Sequence, residues 1–284
     1  MNVYWLEQTE ADLPLENDCP SNNWLSTTES LCLDALRFPK RRADWRLGRW
    51  TAKCALSAYL GAPATAKRFR EMEICPAPDG APEAFVSGLS AGVTISLSHR
   101  SGIAICAVAP SHVRIGCDLE LVESRSRAFV ADYFTAKEQE QANLARASAN
   151  DNGNARNRIV TIIWSAKESA LKALRTGLRL DTRSVVVGSL QTSPDLNGWS
   201  PLSVRYAGRH LPETPLPASD AAHGLYLGGD IFHGWWRITH DVTHDRPHDI
   251  VRTLIAAPAA DSPLPLQLPE HGISKPLKFE STFS

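Results

Sequence analysis

The sequence predicts an α+β fold made of two successive segments, each with helices and short strands. Apolar residues recur at helical spacing over 24–61, with an interruption near Pro39. Short β-rich runs separated by turn formers follow over 69–120, and helical patterns over 126–144 and 159–175 then precede further apolar runs. This repeated order is typical of two α+β units, although the segments share no sequence repeat.

The individual elements follow from the same periodicities. The expected strands are 93–97, 103–108, 113–119, 184–190, 202–206, 225–227, 235–239 and 250–256. We therefore predict an N-terminal α+β half over 1–112, a C-terminal half over 113–257 and a Pro-rich tail over 258–284 that adds little to the core. The polar Asn/Ala/Gly segment over 145–158 is predicted to be a mobile surface loop.

Composition excludes several classes of protein. The 284 residues carry a formal net charge of -1, which gives no global attraction to nucleic acid or to an anionic membrane. The longest apolar stretches are far shorter than the ~20 residues of a membrane helix, and the N-terminus lacks a secretory pattern, so we expect a cytoplasmic protein. The six cysteines form no Cys-x-x-Cys pair, which favours reduced structural thiols.

Two carboxylates are predicted to lie side by side in the segment Ile115-Gly116-Cys117-Asp118-Leu119-Glu120. On a strand, residues two apart share a face, so Asp118 and Glu120 point one way while their neighbours pack inward. Adjacent carboxylates repel unless a cation lies between them, and Mg²⁺ prefers such oxygen ligands. The alternative is an exposed acidic strand face without any ligand.

A second cluster lies in the segment Trp164-Ser165-Ala166-Lys167-Glu168-Ser169-Ala170-Leu171-Lys172. On a helix, Glu168 and Lys172 meet on one face, and the simplest interpretation is a surface ion pair. Upstream, Ser98 and His99 lie between two β-rich runs. We expect them in a turn, where a hydroxyl and an imidazole converge on a phosphate.

In this order and at these separations, four segments resemble the 4′-phosphopantetheinyl transferases of the large monomeric type, which activate peptide and polyketide synthetases. They are Ser98-His99, Gly116-x-Asp118-x-Glu120, Tyr133-Phe134-Thr135-Ala136-Lys137-Glu138 and Trp164-Ser165-x-Lys167-Glu168-Ser169-x-x-Lys172. The resemblance implies two α+β halves in a pseudo-twofold arrangement with the nucleotide in the cleft between them. It also implies transfer of phosphopantetheine from coenzyme A to a serine of an acyl, peptidyl or polyketide carrier protein, by a monomer.

The resemblance further assigns roles to individual residues. Magnesium ligands would be Asp118, Glu120 and Glu168, with Glu168 also a candidate base for the carrier serine. Contacts to coenzyme A would come from Ser98, His99, Lys167 and Lys172, with Lys172 also in a catalytic role. The basic face formed by Arg42, Arg46, Arg49 and Lys53 includes the Leu-Gly-Arg segment at 47–49, so Arg49 and Arg46 are expected phosphate ligands. A solvated helix face is the alternative.

Two departures from the family pattern affect the nucleotide contacts. Many relatives have Gly-Lys-Pro where this chain has Gly80-Ala81-Pro82, so a lysine is missing there. Arg100 stands where relatives often carry serine, and we expect it to replace that cation.

Two other functions are weighed against the transferase. One is a non-catalytic module that binds coenzyme A or a carrier protein, which would have no need for three carboxylates. The other is a metal-dependent phosphohydrolase that uses the same acidic cluster to activate water.

Candidate residues for docking of the carrier protein are Phe129, Tyr133 and Phe134 with Arg125 and Arg127. The cluster of His240, Asp241, His244 and His248 is interpreted as a surface feature without an assigned role.

Overall fold

A computed structural model describes residues 1–14, 22–145, 154–190, 194–196, 198–208, 231–241 and 248–268. It confirms the α+β class: six α-helices and twelve strands lie in these ranges. No helix in these ranges is long and apolar enough to cross a membrane.

Helices precede most strands of the N-terminal segment. They are α1 (Thr27–Ala35), α2 (Pro39–Tyr59) and α3 (Ala66–Glu71). Pro39 occupies the first turn of α2, where the missing N–H has no helical acceptor to lose. The predicted helical pattern over 24–61 is thus confirmed as two helices that meet at this proline.

The first sheet has the order β12-β1-β6-β5. Its strands are β1 (Tyr4–Thr9), β5 (Val93–Arg100), β6 (Ile103–Pro110) and β12 (Leu264–Pro265). Helix α2 packs on β1, β5 and β6. A small antiparallel sheet of β2 (Met72–Pro76), β3 (Pro82–Val86) and β4 (Leu89–Ser90) lies beside it.

The second sheet is antiparallel, with the order β7-β11-β10-β9-β8. Its strands are β7 (Arg114–Leu121), β8 (Val185–Val187), β9 (Ser200–Tyr206), β10 (Ile231–Asp241) and β11 (His248–Ala257). Its helices are α4 (Arg127–Tyr133), α5 (Ala136–Leu144) and α6 (Asn154–Ala173), and α6 packs on β7 and β11.

The two sheets share one core on the faces turned away from α2 and α6. On β6, Ile103, Ile105 and Ala107 lie in this shared core, whereas Cys106 and Val108 pack beneath α2. Strand β7 likewise contributes its odd-numbered residues to the shared core, so its even-numbered residues face α6. The edges of β5 and β7 adjoin, where the Cys117 N–H donates to Ser96 Oγ at 2.9 Å.

Several expectations need correction. The pattern over 126–144 is two helices, because Thr135 caps α5 and interrupts the run. The tail is not wholly separate from the core, since Leu264 pairs with Tyr4 and Leu266 packs on the N-terminal core. The loop predicted over 145–158 is wrong for residues 154–158, because they begin α6. Residues 146–153 of that loop and the expected strand over 225–227 lie outside the described residues. The pseudo-twofold relation and the boundaries 1–112 and 113–257 stay predictions.

Candidate active site

The strand β7 places its two acidic side chains on the face covered by α6. Asp118 is 5% exposed, and Glu120 is mostly buried two residues further along the same face. Gly116 precedes them on this face, and a Cβ there would lie 1.8 Å from the carbonyl oxygen of Ser169 on α6. The absence of a side chain at 116 therefore lets α6 approach the acidic strand closely.

Helix α6 brings Glu168 and Lys172 to this strand. The Lys172 Nζ donates to Asp118 Oδ1 at 2.8 Å and to the Cys117 carbonyl at 2.9 Å. The simple alternative of a surface ion pair between Glu168 and Lys172 is thus incomplete, because the ammonium binds the strand beneath the helix. The half-buried Lys172 ammonium is therefore held against Asp118, the most buried carboxylate of the cluster.

Ser98 and His99 lie on β5, not in a turn as expected; the turn follows at Ser101 and Gly102. Alternation along the strand sends their side chains to opposite faces. The Ser98 hydroxyl donates to Asp118 Oδ1 at 2.9 Å, whereas His99 faces α2, 3.9 Å from the position that a Cβ on Gly48 would occupy. Ser98 therefore belongs with the carboxylates and His99 with the helix that carries the arginines.

The electrostatics of the acidic cluster favour a positive ligand. Burial raises the pKa of Glu168, and the nearby charges of Asp118 and Glu120 raise it further. Burial and the charge of Asp118 likewise raise the pKa of Glu120, although Arg100 and Arg125 oppose this shift. Asp118 Oδ2 is buried and accepts no hydrogen bond from the described residues.

These observations test whether Mg²⁺ fits the residues present. Within the described ranges no three His, Cys, Asp or Glu side chains are grouped as a metal site, and Glu120 instead lies 3.4 Å from Arg125. The donor chemistry nevertheless fits, because an unpartnered carboxylate oxygen and two mutually repelling carboxylates are what a hard divalent cation neutralises.

A cavity of about 460 Å³ lies next to this cluster, between the two α+β segments. Its wall is formed by α2, by the turn over 76–82, by β5 and by the C-terminal end of α6. The basic residues that line it are Arg49, His99, Arg114, Lys172 and Arg175. Lys172 thus contacts Asp118 and also lines the cavity, so an anionic ligand in the cavity would lie close to the carboxylates.

The arginines of α2 differ in their relation to the cavity. Arg49 lines it, with its guanidinium carbon 4.8 Å from the Trp45 ring centroid, and burial lowers the pKa of this arginine. Arg46 is on the same helix but is not among the described residues that line the cavity. Lys53 does not belong to a solvated face at all, because it is fully buried and its ammonium pairs with Glu29.

The expected phosphate contact of Lys167 is contradicted by its burial. Its side chain is 0% exposed, as is that of Glu138, and their charged groups are 2.9 Å apart. The same ammonium also donates to the carbonyls of Thr182 and Val185, so its three protons all have acceptors. Glu138 also accepts the Thr135 N–H that begins α5 and the Val187 N–H, so this pair joins two helices to β8.

Lys167→Met is expected to lower the free energy of unfolding by about 3 to 5 kcal/mol, because it leaves the Glu138 carboxylate buried without a cation. Urea denaturation measures the change, with the exposed Lys137→Met as the matched control on α5. Unchanged stability together with weakened coenzyme A binding would contradict the structural role and favour the original phosphate role.

Arg100 does not replace the missing lysine of the family pattern. It pairs with Glu123 at 3.2 Å, lies 4.0 Å from Glu120, and is not among the described residues that line the cavity. Arg100 therefore interacts with Glu120 of the acidic cluster and with the nearby Glu123.

The sequence reasoning missed Asp79 and Arg175, whose side chains pair on the cavity wall. The departure from the family's Gly-Lys-Pro pattern at Gly80-Ala81-Pro82 could have drawn attention to this part of the cavity wall.

The aromatic docking candidates pack around one tryptophan. Phe129 and Tyr133 lie 4.9 Å and 5.3 Å from Trp164 between ring centroids, and Tyr133 is 38% exposed. Phe134 is buried, so it offers no docking surface. The exposed part of this cluster thus borders the helix that carries Glu168.

Comparison with known proteins gives a match over the acidic strand and the helix that packs on it. Residues 114–211 match the sequence profile of the 4′-phosphopantetheinyl transferase superfamily. The holo-[acyl-carrier-protein] synthase of Streptococcus sanguinis strain SK36 is 38% identical over 69 residues, which are 24% of this chain and 58% of that synthase. The chain therefore spans little more than half the length of this curated relative. The part of the chain that contains β7 and α6 is therefore similar to the 4′-phosphopantetheinyl transferase superfamily.

Proposed function

We propose that this protein is a holo-[acyl-carrier-protein] synthase type of transferase, which moves 4′-phosphopantetheine from coenzyme A to a serine of an apo carrier protein. The observation that carries this proposal is the contact of Lys172 with Asp118 at the edge of the basic cavity. It joins the carboxylates of β7 and α6 to a cavity with several basic residues in its wall, which suits a substrate with a pyrophosphate linkage.

The cavity residues would bind the co-substrate. Arg49 and His99 lie on the α2 side and Lys172 on the α6 side, so phosphate groups of coenzyme A between them would meet cations from both segments. Arg46 stays a weaker candidate on the same helix. Mg²⁺ would be held by Asp118, Glu120 and Glu168, and when bound it would stabilise charge that develops on the phosphate oxygens.

The proposed transfer forms a bond between the carrier serine oxygen and the β-phosphorus and breaks the pyrophosphate bond. Adenosine 3′,5′-bisphosphate is the leaving group, and Lys172 would stabilise its negative charge. Glu168 would take the serine proton, since a carboxylate at the proposed metal site is the nearest candidate base. Full turnover in Glu168→Gln, with only metal affinity weakened, would remove this assignment.

The two alternatives are separated by one measurement. Release of adenosine 3′,5′-bisphosphate from coenzyme A and Mg²⁺ is followed by chromatography, with and without an apo carrier protein. A transferase releases it only with the carrier, whereas a phosphohydrolase cleaves coenzyme A without one. Coenzyme A binding with no release in either arm would favour the non-catalytic module.

Mg²⁺ in the presence of coenzyme A is expected to raise the melting temperature of the protein, because a ligand at 100 times its Kd stabilises by about 2.7 kcal/mol. Differential scanning fluorimetry measures the shift, and Glu168→Gln should lose most of it. An equal shift in this variant would place the metal elsewhere.

The partners follow from the same proposal. We infer an acyl, peptidyl or polyketide carrier protein, whose acidic helix would dock near Tyr133 and Phe129 with Arg125 and Arg127 alongside. The large monomeric subtype and a cytoplasmic location also belong to this proposal. The Ser98-His99 pair and α2, which lie outside the matched residues 114–211, are the features of this chain that support the subtype.

A further inference from the structure

One wall of the cavity is a tight turn over 77–82. The Ala77 N–H donates to the Ala81 carbonyl at 2.8 Å, and the Ala81 N–H donates to Asp79 Oδ1 at 2.9 Å. Asp79 and the three residues after it line the cavity. No residue of this turn is basic, so the turn itself supplies no cation to a ligand.

The carboxylate of this turn is bound by Arg175, just after the end of α6, while Arg179 Nη2 donates to the Asp79 carbonyl at 3.2 Å. Arg175 Nε donates to Asp79 Oδ2 at 2.6 Å and Arg175 Nη2 to Asp79 Oδ1 at 3.1 Å, while Nη2 also donates to Glu83 Oε1 at 2.9 Å. A planar guanidinium bound to a carboxylate through two nitrogens fixes orientation as well as distance. The two partners come from segments 96 residues apart in the chain.

The backbone at Arg175 is unusual for an arginine. The Arg175 N–H donates to the Lys172 carbonyl and the Thr176 N–H to the Leu171 carbonyl, which is the pattern of a helix end that usually carries glycine at this position. Arg175 has φ 56°, a left-handed conformation that costs a side-chain-bearing residue free energy. The guanidinium contacts oppose this cost, which indicates that the side chain is present for what it binds.

We propose that Arg175 is a positioning residue of the cavity, which fixes the 77–82 turn against α6 and thereby presets the wall that receives coenzyme A. The inference rests on the proposed function for the identity of the ligand. A wall that is already ordered lowers the entropic cost of binding. Without Arg175, Asp79 and Glu83 would also lose their shared cation, which would leave more negative charge beside a ligand that carries phosphates.

The test compares Arg175→Gly and Asp79→Asn with the wild type. Glycine suits the backbone at 175, so this variant removes the guanidinium without adding strain, and asparagine keeps the oxygen that caps the turn. Arg183→Ala is the matched control, because Arg183 pairs with its near neighbour Asp181 and is not among the described residues that line the cavity. Hydrogen–deuterium exchange of the 77–82 peptide is measured in the free protein, and coenzyme A affinity is measured by calorimetry.

Both variants are expected to exchange faster in the turn and to bind coenzyme A about tenfold more weakly, which corresponds to about 1.4 kcal/mol. KM for coenzyme A should rise with kcat unchanged, and Arg183→Ala should match the wild type. Asp79→Asn separates positioning from charge, because removing a negative charge alone would strengthen phosphate binding.

Unchanged exchange in Arg175→Gly would overturn the proposal, and so would tighter coenzyme A binding in Asp79→Asn. If the wild type itself fails to bind coenzyme A, the proposed function fails, and the exchange measurement still decides whether Arg175 holds the turn.

Discussion

Asp118→Asn is expected to lower the rate of phosphopantetheine transfer by a factor of about 100 or more, with the fold retained. Asparagine has nearly the same shape and keeps an oxygen to accept from Ser98 and Lys172, so local packing is preserved. It removes the negative charge that fixes the Lys172 ammonium, and it removes a buried carboxylate oxygen that accepts no hydrogen bond from the described residues and could bind a metal. Steady-state kinetics with an apo carrier measure the loss as a fall in kcat.

The matched control is Asp249→Asn on the neighbouring strand β11. Asp249 is also a buried aspartate paired with a cation, since Arg158 lies 2.7 Å away, but it does not line the cavity. This variant should lose stability and keep turnover. Equal activity in the two variants would show that Asp118 has no special role in the chemistry.

Gly116→Ala is expected to lower the free energy of unfolding by about 4 kcal/mol or more, an exceptional cost for one methyl group. A Cβ at 116 would lie 1.8 Å from the Ser169 carbonyl oxygen and 2.8 Å from the Ala173 nitrogen. These are backbone atoms, so no side-chain rotation relieves the overlap and α6 has to move away from β7. Urea denaturation followed by circular dichroism measures the loss.

Gly48→Ala provides the contrast within helix α2. Among the described residues a Cβ there would meet only the His99 ring, at 3.9 Å, and alanine stabilises a helix interior by about 0.5 to 1 kcal/mol relative to glycine. Its stability should equal or exceed that of the wild type. If Gly116→Ala proved as stable as Gly48→Ala, the close approach of α6 to β7 would be wrong.

Local periodicity was sufficient to predict much of the acidic cluster. The two-residue alternation of β7 placed Asp118 and Glu120 on one face, and the helical spacing of Glu168 and Lys172 placed both on one side of α6. These relations depend only on neighbours within one element. Family resemblance supplied the further step that the two elements face each other.

Contacts between distant segments could not be predicted in this manner. The same helical periodicity that places Lys167 on α6 does not reveal that Glu138, on another helix, fills the space beside it. The pairing of Arg175 with Asp79 and of Leu264 with Tyr4 likewise depends on how far-separated segments pack. Ser98 and His99 were placed in a turn because the β-rich pattern marked the strand as ending at Leu97, three residues before its observed end at Arg100.

The most direct test of the transferase proposal is the intact mass of an apo carrier protein after incubation with this protein, coenzyme A and Mg²⁺. Fatty-acid, polyketide and peptide carriers are tested in parallel, beside Glu168→Ala and metal-free controls. A mass gain equal to phosphopantetheine on at least one carrier, lost in both controls, is the expected result. No gain on any carrier, from a protein that measurably binds coenzyme A, would contradict the transfer reaction and favour a non-catalytic binding module.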